Sequence, residues 1–367
     1  MSFGARALIR LGALTHNLQV ISKTATRARI MAVIKANAYG HGMLTVARHL
    51  PDVDAFAVAR LPEAIELRQQ GIRRPIVLLS GTLTPDELAT ALMYDCEPVV
   101  HEASQVSLLE KATSGTTRVW LKVDTGMHRL GFSLTEAAAI LDRLRRCAAV
   151  QDIVLMTHLA SADQVDGESV TRQLEQFRTL ATDYDGDISI ANSPALLGHP
   201  SLADAANTLG ISGQHWVRTG IALFGISPFA DKTAKDFDLQ PVMQFEARLV
   251  AIKALEAGGA VGYTGNYVAP QDTILGIVSA GYGDGYSRHF KTGTPVLING
   301  RRVPLIGRVS MDMIAVDLGN DGRDQVGDVA TLWGAELPIE LVAPYADAIP
   351  YDLVCGIMNR EEQEVIA

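Results

Sequence analysis

Eight short apolar runs, each followed by a polar turn and an amphipathic stretch, fill residues 30 to 218 of this chain. The runs are Ile30–Lys35, Ala55–Ala59, Ile76–Ser80, Glu97–Val100, Val119–Asp124, Ile153–His158, Ile188–Asn192 and Trp216–Arg218. Their length and their β-branched content read as buried strands. Between them lie Met43–Leu50, Pro62–Gln70, Pro85–Tyr94, Ser104–Lys111, Thr135–Arg146 and Ser169–Asp183, all with helical spacing. Eight strands alternating with helices predict an α/β fold, a (β/α)8 TIM-like barrel.

The ends of the chain do not share this rhythm. Ala7–Leu11 reads as a strand surplus to the eight, and Leu14–Ser22 as a helix with Thr15 available as its cap. After residue 230 glycines and strands dominate. Val242–Leu255 is long and apolar, Ile274–Ala280, Met313–Leu318 and Val329–Trp333 read as strands, and Pro338–Tyr345 as a late helix. Pro295–Leu305 is a hairpin with Asn299-Gly300 at its tip, a type I′ signal. The expected organisation is a barrel over residues 12–230 and a mostly antiparallel β domain over 231–367, to which the strand within 1–11 pairs.

Composition narrows the function. A formal net charge of -9 without a basic block argues against nucleic acid or an anionic membrane surface as partner. Three widely spaced cysteines, Cys96, Cys147 and Cys355, fit no metal spacing and read as reduced thiols. Nine histidines without i, i+4 pairs also argue against a metal site. No signal-peptide pattern and no run of about 18 apolar residues is present, so the expected location is the cytoplasm.

In such a barrel, chemistry sits at the C-terminal ends of the strands. There the first run delivers Lys35, the fifth Lys122 and Asp124 and then Gly126-Met-His-Arg129, the sixth His158, the seventh Asn192-Ser193-Pro194, and the eighth Arg218 followed by Gly220-Ile221. Lys35 alone is equally a snorkelling surface lysine. Lys122 and Arg218 lie inside runs that should be buried, where an unpaired cation is costly, so they are expected to meet anions. Ser193, Gly220 and Ile221 read as an anion cradle after strands seven and eight. A lysine amine facing a phosphate cradle suggests pyridoxal phosphate, whose aldehyde needs an amine and whose phosphate needs an anchor. Arg218 would then lie near the pyridine nitrogen. A guanidinium, with pKa of about 12 or above, would keep its proton and leave that nitrogen neutral, a weaker electron sink.

Several blocks resemble the alanine racemases. They are Ala32-Val-Ile-Lys-Ala-Asn-Ala-Tyr-Gly-His-Gly42, Lys122-Val-Asp-Thr-Gly-Met-His-Arg-Leu-Gly131, Thr157-His-Leu-Ala, Ala191-Asn-Ser, Arg218-Thr-Gly-Ile-Ala-Leu-Phe-Gly225, Val261-Gly-Tyr263, Ala280-Gly-Tyr-Gly-Asp-Gly285 and Gly307-Arg-Val-Ser-Met-Asp312. They run in order over nearly the whole chain. The resemblance implies a homodimer with shared active sites that interconverts L- and D-alanine, for peptidoglycan synthesis or for alanine catabolism.

It further implies that Lys35 holds the cofactor as a Schiff base and acts on the D face of the substrate. Tyr263 of the partner subunit would act on the L face, with His158 bridging Tyr263 and Arg218. Arg129 and Met311 would hold the substrate carboxylate, and Tyr282 and Asp312 would line the entrance. Tyr39, Ser193, Gly220 and Ile221 would bind phosphate, beside Asn192. In several members the lysine that matches Lys122 carries a carbamate, which here would be able to bond Arg129. One departure is visible: where some members place a C-terminal phosphate-binding tyrosine, this chain has Asn359. A racemase of serine or other small amino acids is the near alternative. A non-racemising barrel protein of cofactor homeostasis is the distant one, since it would match residues 1–230 only. Outside the resemblance, Tyr263 reads as a turn residue, His158 as a core histidine and Arg129 as a solvated loop cation.

Overall fold

The computed structural model describes residues 4–164, 167–182, 184–320, 322–357 and 362–366. Nine strands precede residue 220: β1 (Arg6–Arg10), β2 (Ala28–Val33), β3 (Ala55–Val58), β4 (Ile76–Leu78), β5 (Cys96–Val100), β6 (Thr117–Lys122), β7 (Val150–Met156), β8 (Ile188–Ser189) and β9 (His215–Thr219). Strands β2 to β9 form the closed barrel, each parallel to the next and β9 returning to β2. The eight apolar runs are these eight strands. The Val, Ile, Leu and Ala side chains along these strands are nearly all buried, as a sheet covered by helices requires.

The helices follow the expected spacing to within a residue or two. Ser133 caps Leu134–Arg145 and Glu136 returns the bond, a capping box. Glu168–Ala181 buries Val170, Gln173, Phe177 and Ala181 on one face. The first helix starts earlier than expected, at Leu11, and Thr15 does not cap it. Its hydroxyl donates instead to the Leu11 carbonyl one turn back, an alternative that short hydroxyl side chains readily take.

The chain forms two compact units: Met1–Asn17, Tyr39–His41 and Phe224–Ala367 in one, Leu18–Ala38 and Gly42–Leu223 in the other. The first unit carries β1, β10 (Met243–Leu255), β11 (Ala260–Val261), β12 (Tyr267–Val268), β13 (Thr273–Val278), β14 (Pro295–Ile298), β15 (Arg301–Ile306), β16 (Ile314–Gly319), β17 (Val329–Trp333) and β18 (Glu362–Ile366). Eight of these make one sheet in the order β13-β16-β15-β14-β17-β10-β1-β18. β1 pairs antiparallel with β10 and parallel with β18. The long apolar run is the 13-residue β10, which also pairs β13 and β17. Asn299 and Gly300 both have positive φ, 50° and 75°, as a type I′ turn needs. The late helix is shorter than expected, Ile339–Val342, and then tightens to a 3-10 turn at Ala343–Ala346. Pro344 has no N–H to continue the α-helical ladder.

Cys96 and Cys147 are buried free thiols and Cys355 an exposed one. Among the described residues no helix is long and apolar enough to cross a membrane.

Candidate active site

Trp120 of β6 and Trp216 of β9 meet edge to face, with ring centroids 5.4 Å apart. These strands are not neighbours, so the rings meet across the barrel lumen. Side chains two apart on a strand share a face. Lys122 and Arg218 therefore point the same way as the tryptophans, one layer nearer the C-terminal mouth. The lower layer is balanced: Trp120 donates to Glu97 and Trp216 to Asp187, both at 2.8 Å, and Arg118 and Arg29 pair with the same two carboxylates. The upper layer is cationic.

Arg218 is buried, and burial pushes its guanidinium down to about 10. The sequence leads one to expect an anion beside it. Among the described residues it meets none, and its charge is dissipated over neutral acceptors. Nη1 donates to Ser189 Oγ at 2.6 Å, and Nη2 donates to the carbonyls of Thr157 at 2.7 Å and Ile190 at 3.1 Å. Lys122 likewise makes no ion pair with a carboxylate among the described residues; burial and the nearby Arg218 push its amine down to about 8. Asp124, which could have paired with it, is turned into its own loop. There one oxygen accepts the backbone N–H groups of Gly126, Met127 and His128. That grip shapes the loop that carries Arg129, an exposed residue.

His158 lies 3.3 Å from Arg218 Nη2 through Nδ1. Burial first, then Arg218, pushes the imidazole down to about 2, so it is neutral. Arginine can only donate, so Nδ1 is the acceptor and the ring proton sits on Nε2. The 3.5 Å approach of Asn192 Nδ2 to that nitrogen is then a contact between donors, not a bond. Asn192 does its work through its oxygen, which caps the six-residue helix Ser193–Gly198 by accepting from Ala195 N–H. Ser193 Oγ accepts from the N–H of Gly220 at 3.0 Å and of Ala222 at 3.4 Å. Ser193 thus meets the backbone of Gly220 and Ala222, on either side of Ile221, and the Gly220 N–H already faces a hydroxyl.

Lys35 does not stand at the end of a strand, as the sequence suggests. The strand stops at Val33, and Lys35 opens a left-handed turn. Ala36, Asn37, Ala38 and Tyr39 all have φ between 52° and 54°. Each costs roughly 1–2 kcal/mol against the right-handed form, so the turn needs outside support. Ala38 N–H reaches Ile34 O, Gly42 N–H reaches Asn37 O, and Met43 N–H reaches Asn37 Oδ1 at 2.8 Å. Ala36 N–H donates to Glu63 Oε1 at 2.7 Å.

The remaining candidates lie in the β unit. Tyr39 is buried there, its ring 5.3 Å from that of Phe224 and 6.1 Å from that of Tyr351. Burial and Cys355 raise its phenol, so it stays protonated. Tyr263 is 64% exposed, on the turn Tyr263–Gly265 between β11 and β12. Thr264 in this turn has φ 65°, and Asn266 bridges it to the Arg308 guanidinium. Tyr282 N–H and Gly283 N–H donate to the carbonyls of Ser310 and Met311, which ties the two loops together. Met311 and Asp312 are exposed. Asn359 lies outside the described residues.

Two side chains at the barrel mouth escape a reading of the sequence. Gln173 is buried; it accepts from Ala160 N–H and donates to Thr125 Oγ1 and His158 O, tying the loops of Asp124 and His158. A polar residue on the apolar face of an amphipathic helix is the signal that could have found it. The other is Glu63, in Leu61-Pro-Glu63, a helix-start pattern.

The chain has relatives over its whole length. Residues 9–228 match the family described as alanine racemase, N-terminal domain, and residues 242–365 match alanine racemase, C-terminal domain. The alanine racemase of Vibrio atlanticus is 44% identical over 364 residues, 99% of each chain. That of Shewanella loihica is 45% identical over 358 residues, 97% of each chain. Among solved structures, the biosynthetic alanine racemase from Pseudomonas aeruginosa superimposes with a TM-score of 0.93 at 38% identity over 100% of both chains. The alanine racemase from Acinetobacter baumannii does so with a TM-score of 0.90 at 34% identity, again over 100% of both.

Proposed function

This chain belongs to the alanine racemase family and is an isomerase, and from that premise we propose that it interconverts L- and D-alanine as a cytoplasmic homodimer with pyridoxal 5′-phosphate at the barrel mouth. What most supports the cofactor is the charge of the upper lumen layer: Arg218 is a buried cation with no carboxylate partner among the described residues. Buried charge of one sign is costly, and an anionic ligand offsets it. Lys35 would hold the cofactor through its amine, and Tyr39, Ser193, Gly220 and Ile221 its phosphate, next to Asn192. When bound, the cofactor draws electrons from the substrate Cα and so acidifies its hydrogen.

Inversion at Cα needs one proton acceptor on each face. Lys35 Nζ serves the D face, and the phenolic oxygen of Tyr263 from a second copy of the chain serves the L face. A phenol with pKa of about 10 is a poor base at neutral pH. His158 answers this: its Nε2–H is directed by the Nδ1 contact to Arg218, and a donor backed by a cation stabilises a phenolate. Arg218 itself keeps its proton, which limits the electron withdrawal and with it side reactions such as transamination. Arg129 and Met311 hold the substrate carboxylate, and Tyr282 and Asp312 line the way in. The metabolic role is supply of D-alanine for peptidoglycan, or alanine catabolism.

Lys122 takes up CO2 as a carbamate in this reading, the neutral amine adding to carbon and releasing one proton. The product is an anion between Arg218 and Arg129. Only the neutral amine reacts, so uptake should grow as pH rises through about 8. A carbamate carbon resonance from 13C-bicarbonate, lost in Lys122→Ala, checks this; no resonance at any pH leaves Lys122 an amine.

Chiral chromatography of the protein incubated with pyridoxal phosphate and L-alanine, and separately L-serine, tests the function. Fast approach to an even mixture is expected for alanine and slow approach for serine. Bound cofactor with neither substrate racemised would refute the proposal.

A further inference from the structure

Glu63 does two separable things with its two oxygens. Oε2 accepts the N–H groups of Ala59 and Arg60, both at 2.9 Å, and so caps the helix Leu61–Gln69. Oε1 reaches out of that helix to Ala36 N–H at 2.7 Å, the amide that directly follows Lys35. A capping glutamate needs only the first contact. The second ties the loop after β2 to the loop after β3.

The strain falls at that point. Four successive left-handed residues begin at Ala36, and an alanine there gains nothing from its own side chain. Asn37 supports the far end of the turn, through its carbonyl and its Oδ1. At the near end, the Ala36 amide is fixed by a charge-assisted bond, the stronger kind. Rotation of the Lys35–Ala36 peptide would break it and swing the lysine.

We propose that Glu63 is a positioning residue for Lys35, holding the left-handed turn so that the amine stands at the barrel mouth in the orientation that proton transfer needs. The proposal rests on Lys35 being the D-face base. Glu63→Gln separates the two roles. An amide has one acceptor and one donor end, and the two cap bonds claim the acceptor. Its NH2 then faces the Ala36 N–H, donor against donor. The cap survives and the link to Lys35 does not.

The test compares unmutated holoenzyme, Glu63→Gln, Glu63→Asp and Lys35→Ala. Expected for Glu63→Gln is a melting temperature close to the unmutated one, with kcat/KM down by about tenfold to a hundredfold, the scale of a misplaced reacting group. Borohydride trapping of the cofactor on Lys35, read by peptide mass, should slow. The pH titration of the cofactor's visible band should shift. The primary isotope effect with α-deuterated D-alanine should rise while that with L-alanine does not, which a general loss of stability would not produce. Glu63→Asp, too short to span both loops, should behave alike. Unchanged trapping, titration and isotope effects overturn the proposal, whatever the melting temperature. So does collapse of the fold in both Glu63 variants, which would assign the residue to the fold alone. Racemisation by Lys35→Ala would instead overturn the reading of Lys35. An inactive Lys35→Ala beside an unaffected Glu63→Gln removes only the role of Glu63.

Discussion

Lys35→Ala is expected to abolish racemisation and to remove the visible absorption of the bound cofactor at the same time. The side chain carries two duties in the proposed mechanism, and both end at one nitrogen. It anchors the cofactor through its amine, and it exchanges the proton on the D face of Cα. Loss of a positioned proton-transfer group alone costs about 10²–10⁴-fold; loss of the anchor adds to that. The rest of the mouth is untouched by the change. Arg218 keeps its bonds to Ser189, Thr157 and Ile190, and Ser193 keeps those to Gly220 and Ala222. The variant should therefore fold and still take up cofactor, without the lysine-dependent band. Absorbance spectra and chiral chromatography on one preparation decide the matter. A persistent band with full activity would mean that some other amine does this work.

How much of this was legible in the sequence depends on whether a residue's role is set by its strand or by contacts across loops. The barrel is written in period and length, and so are Lys122 and Arg218. Each stands two residues beyond a tryptophan that points into the lumen, so alternation alone puts them there. His158 lies two residues past β7, and Arg129 farther on, in the loop after β6. The left-handed turn after Lys35 is different. Ala36, Ala38 and Tyr39 have no intrinsic preference for positive φ, and only Asn37 tolerates it well. That conformation is held at its near end from Glu63, 27 residues away from Ala36. That no carboxylate among the described residues pairs with Lys122 or Arg218 has a related reason. The rule prices a buried charge within one chain, and it does not foresee backbone carbonyls absorbing a guanidinium or Asp124 turning to its own loop. Tyr263 was legible only through resemblance, since Gly-Tyr-Thr-Gly is on its face a turn.

Tyr263→Phe removes one hydroxyl from an exposed turn, so fold and cofactor binding should be unaffected while racemisation falls by about 10²–10⁴-fold. Comparing rates in the two directions cannot reveal which face has lost its base. The enantiomers have identical free energies, so the equilibrium is an even mixture and kcat/KM must be equal in both directions for every variant. Isotope effects escape this constraint, because they report the step at which the deuterium leaves. With Tyr263→Phe the primary effect should rise for α-deuterated L-alanine and not for D-alanine, the reverse of the Glu63 pattern. Equal effects in both directions would remove Tyr263 from the L face. A second experiment asks which copy supplies the hydroxyl. If Lys35 and Tyr263 of one site come from different copies, a mixed dimer of Lys35→Ala and Tyr263→Phe chains has one site with both residues intact and one with neither. Random re-association should then restore about a quarter of the unmutated activity, as two-fold symmetric exchange requires. Two inactive preparations that stay inactive after proven exchange would place both residues on one chain. Recovery would also explain why a tyrosine with so much exposed surface can do chemistry that demands exclusion of water: the surface would be covered by the partner's barrel mouth.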